Sequence, residues 1–215
     1  MKRRQAGLGL VEALLALAVS ALLLAGASRL FVSAHQAWGV QGAAARLQDD
    51  ARLALQRIVE DVRMAGMFGC LRIEPANFPD PSVAQAFAQP ITITDDSLTL
   101  VGAELPGLLG PADWTVLSDC RSWARVLASQ HMQGESLQAF PVRRLIYRVS
   151  KGRLMLTTVS QNASLIDNVK ALRVSRVQVG EGERLDIQLT LHDPRHQLEQ
   201  HHQVSVALRN PAGGA

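Results

Sequence analysis

Outside residues 8–27, the 215-residue chain has no apolar run long enough to cross a bilayer. That is well short of a protein with several membrane helices and leaves room for one span and one globular domain of ordinary size. Proline is missing before Pro75, so nothing up to there forbids one continuous helix. Cysteine is scarce: Cys70 and Cys120 stand alone, neither with a partner at the short spacing of a zinc site. The G-x-S-x-G elbow, H-E-x-x-H and the P-loop are all absent, and Gly7-Leu8-Gly9 lacks the third glycine and preceding strand of a dinucleotide site. The expectation is a protein that is not an enzyme and has no cofactor or metal. A clustered basic face is also lacking, which argues against nucleic acid as a partner. There is no internal repeat and no low-complexity tract.

What charge excess exists is local. The chain carries 22 Lys and Arg against 19 Asp and Glu, and Lys2, Arg3 and Arg4 account for the difference. These three precede the apolar run and read as its cytoplasmic flank. Within that run stands one acid, Glu12. A carboxylate at the centre of a membrane helix costs roughly 2.5–3.5 kcal/mol on insertion scales, so it is by default a functional residue.

Past the apolar run the pattern turns amphipathic. Leu47, Ala51, Leu55, Ile58, Val62 and Ala65 recur every three or four residues, with polar residues filling most places between. The spacing predicts a helix from Leu8 to Met64 or Ala65, about 85 Å long. Gly26, Gly39 and Gly42 are its weak points, and Gly66 and Gly69 with Pro75, Pro79, Pro81 and Pro90 end it and open a long loop. The period then changes to two. Residues 91–94 and 97–101 predict a hairpin around Asp95-Asp96, and residues 114–117 a further strand. Residues 143–149 and 153–159 predict a second hairpin around Ser150-Lys151-Gly152. Residues 165–168 read as a turn or short helix. Residues 174–179, the alternating Leu185, Ile187, Leu189 and Leu191, and Val204, Val206 and Leu208 complete the strands, and Pro211-Ala-Gly-Gly-Ala215 reads as a loose end. One apolar sheet face then needs a cover, and the amphipathic half-helix is available. The fold class is α+β: a long N-terminal helix packed on an antiparallel β-sheet domain.

Beyond the membrane, in an oxidising periplasm, an isolated cysteine pair is most simply a disulfide, here closing a loop of about 50 residues; two buried free thiols are the alternative. His192, His196, His201 and His202 cluster near a predicted hairpin tip. Pro194 forbids the regular helix that would stack His192 and His196 on one metal, so a solvated loop is the reading.

Three readings of the N-terminus stand side by side. One is a secretory signal peptide, with Lys2 to Arg4 as its n-region, residues 13–24 as its h-region and Ala25-Gly26-Ala27 as an A-x-A cleavage site. Another is an uncleaved anchor. The third rests on Gly7 before a hydrophobic residue with Glu12 fifth after the break, which resembles the class III leader of type IV prepilins and pseudopilins. The resemblance implies that a prepilin peptidase cuts between Gly7 and Leu8 and methylates the new Leu8 amine; Leu8 stands where phenylalanine is usual. It implies a subunit-assembly role for Glu12, whose carboxylate would pair with the mature amine at Leu8, its own or a neighbour's. Ala45-Arg-Leu-Gln-Asp-Asp-Ala-Arg-Leu-Ala-Leu55 and Asp61-Val-Arg-Met-Ala-Gly-Met-Phe-Gly-Cys70 are similar to the helix end and exit of PilW-type minor pilins, with weaker similarity at residues 114–120, 145–148 and 165–169.

On this resemblance the chain divides into a prepilin leader (1–7), a transmembrane helix half (8–28), an amphipathic helix half (29–66) and a periplasmic β-rich head (67–215). The implied protein is a minor pilin, held in the inner membrane before assembly and then in the pilus near its tip. Its implied partners are other minor pilins, the major pilin, a tip adhesin, prepilin peptidase and the inner-membrane assembly platform, and its implied roles are pilus priming, twitching motility and adhesion. The alternatives are a type II secretion pseudopilin and an exported periplasmic enzyme or binding domain with an ordinary signal peptide.

Overall fold

The computed structural model describes residues 9–104, 111–128 and 137–210. Helix α1 spans Leu10–Met64 and is built largely from alanine and leucine, the strongest helix formers. Gly26, Gly39 and Gly42 do not interrupt it. Two compact units divide the chain, one ending at Ala45 and the other beginning at Arg46.

Among the described residues the second unit contains the end of α1, ten strands, a 3-10 turn at Pro75–Asn77 and a short helix. Strands β1 (Ile91–Ile93), β2 (Ser97–Ala103), β3 (Trp114–Ser118), β4 (Ala124–Leu127), β5 (Gln138–Ser150), β6 (Arg153–Thr157) and β7 (Asn162–Ile166) form one antiparallel sheet. Its centre is the 13-residue β5. One edge of β5 pairs with β2 through Arg148 to Val142. The other edge is shared, by β3 opposite residues 138–142 and by β6 opposite residues 146–150. Strands β8 (Val169–Val179), β9 (Gly182–Asp193) and β10 (Leu198–Ala207) form a second antiparallel sheet in the order β10-β9-β8. Lys151 and Gly152 both have positive φ, 51° and 72°, which is the two-residue hairpin turn expected between β5 and β6.

The amphipathic stripe is the core. Leu47, Ala51, Leu55, Ile58, Val62 and Ala65 are all buried, against Leu98 and Leu100 of β2, Leu145 and Tyr147 of β5, Leu154 and Leu156 of β6, and the four alternating apolar residues of β9. Alternation along β2 and β5 sends Val101 and Val142 to the opposite face. There they meet Val116, Val126 and a second cover, helix α2 (Pro81–Ala88), through its Val83 and Phe87. Phe87 stacks with Phe68, Phe78 and Trp114 at ring separations of 4.3, 5.2 and 5.5 Å. The architecture is α+β, a long apolar N-terminal helix followed by an antiparallel sheet domain, consistent with a pilin-like fold.

Two sequence expectations need correction, and one strand was not anticipated. The proline-rich stretch after α1 is not a plain loop, because Asp80 caps α2: its Oδ1 accepts from the backbone N–H of Ser82 (2.9 Å) and Val83 (3.1 Å), with Pro81 at the first turn. Residues 165–168 are not a helix. Leu165 and Ile166 end β7, which pairs with β6, and Asn168 takes a positive φ of 61° between β7 and β8. Strand β4, which the alternation missed at only four residues, pairs with β3. The Pro211–Ala215 tail lies outside the described residues.

Candidate assembly segment and the anchorage of the head

Helix α1 opens at Gly9, whose carbonyl accepts from the Glu12 (3.0 Å) and Ala13 (3.3 Å) N–H groups. Glu12 is in the first turn, where unpaired N–H groups and the positive end of the helix favour a carboxylate. From Leu10 to Gly42 every residue is exposed in the single chain; Leu10 is 78% exposed and Leu22 74%. A helix apolar on all sides belongs in lipid or against other helices. Among the described residues it is the one helix long and apolar enough to cross a membrane, and Glu12 forms no ion pair there. Gly7 and Leu8, the cleavage and methylation positions, lie outside the described residues.

In the unit beginning at Arg46, the end of α1 is held by polar contacts as well as by its apolar stripe. Asp61 is 3% exposed. Its Oδ2 accepts from Arg57 Nε one turn earlier on α1 (3.0 Å) and from the hydroxyl of the fully buried Tyr147 on β5. Burial pushes the Asp61 carboxyl above its ordinary range, against the opposing pull of the Tyr147 hydrogen bond and of Arg57. Burial and the neighbouring Asp61 likewise push the Tyr147 phenol up. Arg143, 1% exposed, pairs through Nη2 with Glu104 Oε1 at 2.9 Å.

The helix exit is welded to the sheet. Gly66, with φ +79°, ends α1 and donates to the Val101 carbonyl (2.9 Å); Ala103 N–H donates to Met67 O (2.7 Å). Ala65 bridges Gly102, where any Cβ would collide with the Met64 carbonyl. Asn210 closes the helix from 145 residues away, its Nδ2 donating to the Ala65 carbonyl at 3.2 Å.

Cys70 and Cys120 are joined by a disulfide. It pins the segment leaving α1 to the turn after β3. In that turn Asp119 Oδ1 accepts from the N–H groups of Arg121, Ser122 and Trp123 at 2.9–3.0 Å, bonds that bring its pKa down to about 2. Ser118 Oγ accepts from Cys120 N–H (2.9 Å) and donates to the Trp123 carbonyl (2.8 Å).

Three of the four clustered histidines engage separate partners. His196 Nδ1 lies 2.8 Å from Asp193 Oδ2, His201 Nδ1 3.1 Å from Thr190 Oγ1, and His202 Nε2 3.1 Å from Gln200 Oε1. Among the described residues no three His, Cys, Asp or Glu side chains gather as a metal site.

Sequence reasoning missed Arg57, Asp61, Tyr147, Glu104 and Arg143. One signal could have found Asp61: it follows Ile58 by three residues and precedes Ala65 by four, which places an acid on the buried stripe. The partners across the sheet have no such signal.

Residues 2–28 match the prokaryotic N-terminal methylation motif. No curated protein and no solved structure matches the chain. The match ends within α1, so it covers the basic flank, Gly7, Leu8, Glu12 and the apolar helix and does not reach the head. The chain thus carries the class III prepilin leader, which implies processing by prepilin peptidase, membrane anchoring and assembly with other pilins, and supports a type IV pilin-like or pseudopilin protein.

Proposed function

We propose that this chain is a minor pilin of a type IV pilus, of the PilW type, and that its work is assembly rather than catalysis. One observation carries the reading: a methylation-motif leader runs into a helix that is exposed on every side from Leu10 to Gly42, with a single acid in its first turn. A carboxylate in hydrocarbon is costly until paired. Cleavage after Gly7 would free an amine at Leu8, four residues before Glu12 and next to the membrane helix. Pairing between Glu12 and the amine of a neighbouring subunit would neutralise both charges and set the axial stagger of packed helices. In this reading the protein joins other minor pilins in a complex that primes the pilus and stays near its tip. It works there with the major pilin, a tip adhesin and the inner-membrane platform, and supports twitching motility and adhesion.

Mass spectrometry of the purified N-terminus tests the processing. A start at N-methylated Leu8 is expected; a start at Ser28 would make the protein a signal-peptidase product and remove the assembly reading. The Glu12→Ala variant is expected to insert and be cleaved normally but to enter pili poorly, and normal incorporation would remove the role given to Glu12. The type II secretion pseudopilin shares leader and helix. A deletion strain that loses surface pili yet secretes its exoproteins normally favours the pilus; the opposite phenotype favours the pseudopilus.

A further inference from the structure

An unpaired strand edge is a template for another strand, and folded proteins blunt such edges with short strands, charges, proline or bulges. Most open edges here are blunted. Strand β1 has three residues, and Arg176 Nη2 already occupies the Ile91 carbonyl (3.1 Å). Strand β4 has four residues and β7 five. Strand β8 has a register break between Val169 and Ala171, carries Lys170, Arg173 and Arg176, and spends its Val169 N–H on Gly152.

Strand β10 is the exception. Its ten residues contain no proline, glycine, lysine or arginine, and they pair with β9 without a register break. No strand among the described residues pairs with its other edge. The hydrogen bond from Leu208 N–H to the Glu183 carbonyl (2.9 Å) fixes which groups point where. Even-numbered residues of β10 turn their peptide groups toward β9, so Glu199, His201, Gln203, Ser205 and Ala207 present N–H and C=O outward. All five are exposed. On the core-facing side Leu198, His202 and Val204 are only half-buried, as they would be if the sheet wanted one more strand.

We propose that this edge pairs with β10 of a second copy of the chain, antiparallel and two-fold symmetric, with His202 opposite His202. The strand is self-complementary in that register. Leu198 meets Val206 and Gln200 meets Val204 on the core-facing side; Glu199 meets Ser205 and His201 meets Gln203 on the other. The outward peptide groups face one another at the His201 with Gln203 and Glu199 with Ser205 pairs. Glu199, the one carboxylate on the strand, meets no like charge. Nine residues of each copy take part, and the two three-stranded sheets become one of six strands. This pairing does not depend on the pilus reading and holds equally for a pseudopilin.

The test uses the full chain in detergent micelles, with sedimentation as the readout. Wild type is expected to be dimeric at micromolar concentration. Gln203→Pro removes an N–H that faces outward and no bond to β9, so it is expected to keep the circular dichroism of wild type while weakening dimerisation on the order of tenfold or more. His202→Cys, a lone thiol beside the Cys70–Cys120 disulfide, is expected to cross-link on mild oxidation, because a non-hydrogen-bonded pair brings Cα atoms to about 4.5 Å. Gln203→Cys is expected to cross-link far less. A monomeric wild type overturns the proposal. So does a dimer that Gln203→Pro leaves intact, which would place the contact in the apolar helix, or a His202→Cys protein that stays uncross-linked.

Discussion

Asp61 shows how a single residue can couple an α-helix to a sheet. Its carboxylate is buried, so it must be paired, and both partners come from fixed positions: Arg57 one turn away and Tyr147 on the longest strand. Tyr147→Phe keeps the ring in the core and removes only the donor to Asp61. It is expected to cost about 1–3 kcal/mol in urea unfolding. Asp61→Ala strands the phenol and the guanidinium together, and the expected loss is about 2–3 kcal/mol because Arg57 keeps some contact with water. Because burial raises the Asp61 carboxyl, the folded state takes up this proton before the unfolded chain does, and Asp61 does not drive acid unfolding. Asp119 behaves in the opposite sense. Its three backbone donors depress its pKa to about 2, so what it contributes is complete above the ordinary carboxylate range and is lost as pH falls through about 2. An NMR titration should find its carboxyl midpoint there, with the Arg121, Ser122 and Trp123 amides still protected at pH 3.

At the scale of elements, the end of α1 is joined directly to β2. The helix stops where Gly66 reverses handedness, and the chain then pairs with the end of β2 instead of leaving the surface. That close approach requires a residue without a Cβ at position 102. Gly102→Ala is expected to cost about 1–3 kcal/mol, read from the denaturant midpoint, since the obstacle is backbone on α1 and cannot rotate away. Asn210 adds a distant cap to the local one at Gly66, its Nδ2 donating to the Ala65 carbonyl. Helix α2 and the phenylalanine cluster cover the face of the sheet that α1 leaves open, so β5 is buried from both sides near Val142.

For the whole molecule, the Cys70–Cys120 disulfide encloses α2, β1, β2 and β3 in a 50-residue loop; α2, β2 and β3 supply Val83, Phe87, Val101, Trp114 and Val116 to the second core, which β4 and β5 complete. Replacing both cysteines by serine is expected to remove on the order of 4 kcal/mol of stability. Hydrogen exchange should show the loss first around Phe87 and Val116, ahead of the core under α1. A uniform increase in exchange over both cores would show that the two faces unfold as one unit.

Much of this protein is legible in one dimension. The apolar run, its lone acid, the change of period from 3.6 to two and the stripe from Leu47 to Ala65 are local patterns. Each is set by which side chains an aqueous or lipid solvent excludes. Helix α2 was hidden because its start depends on an aspartate cap inside a proline-rich stretch, and β7 because its first three residues are exposed and only Leu165 and Ile166 turn inward, too few to alternate. The buried contacts of Asp61 with Tyr147 and Arg143 with Glu104, the cap donated by Asn210 and the collision that reserves position 102 for glycine join residues far apart in the chain. Tertiary packing alone decided these, because a buried polar group or a close backbone approach is defined by what lies across the interface and leaves no period in the sequence.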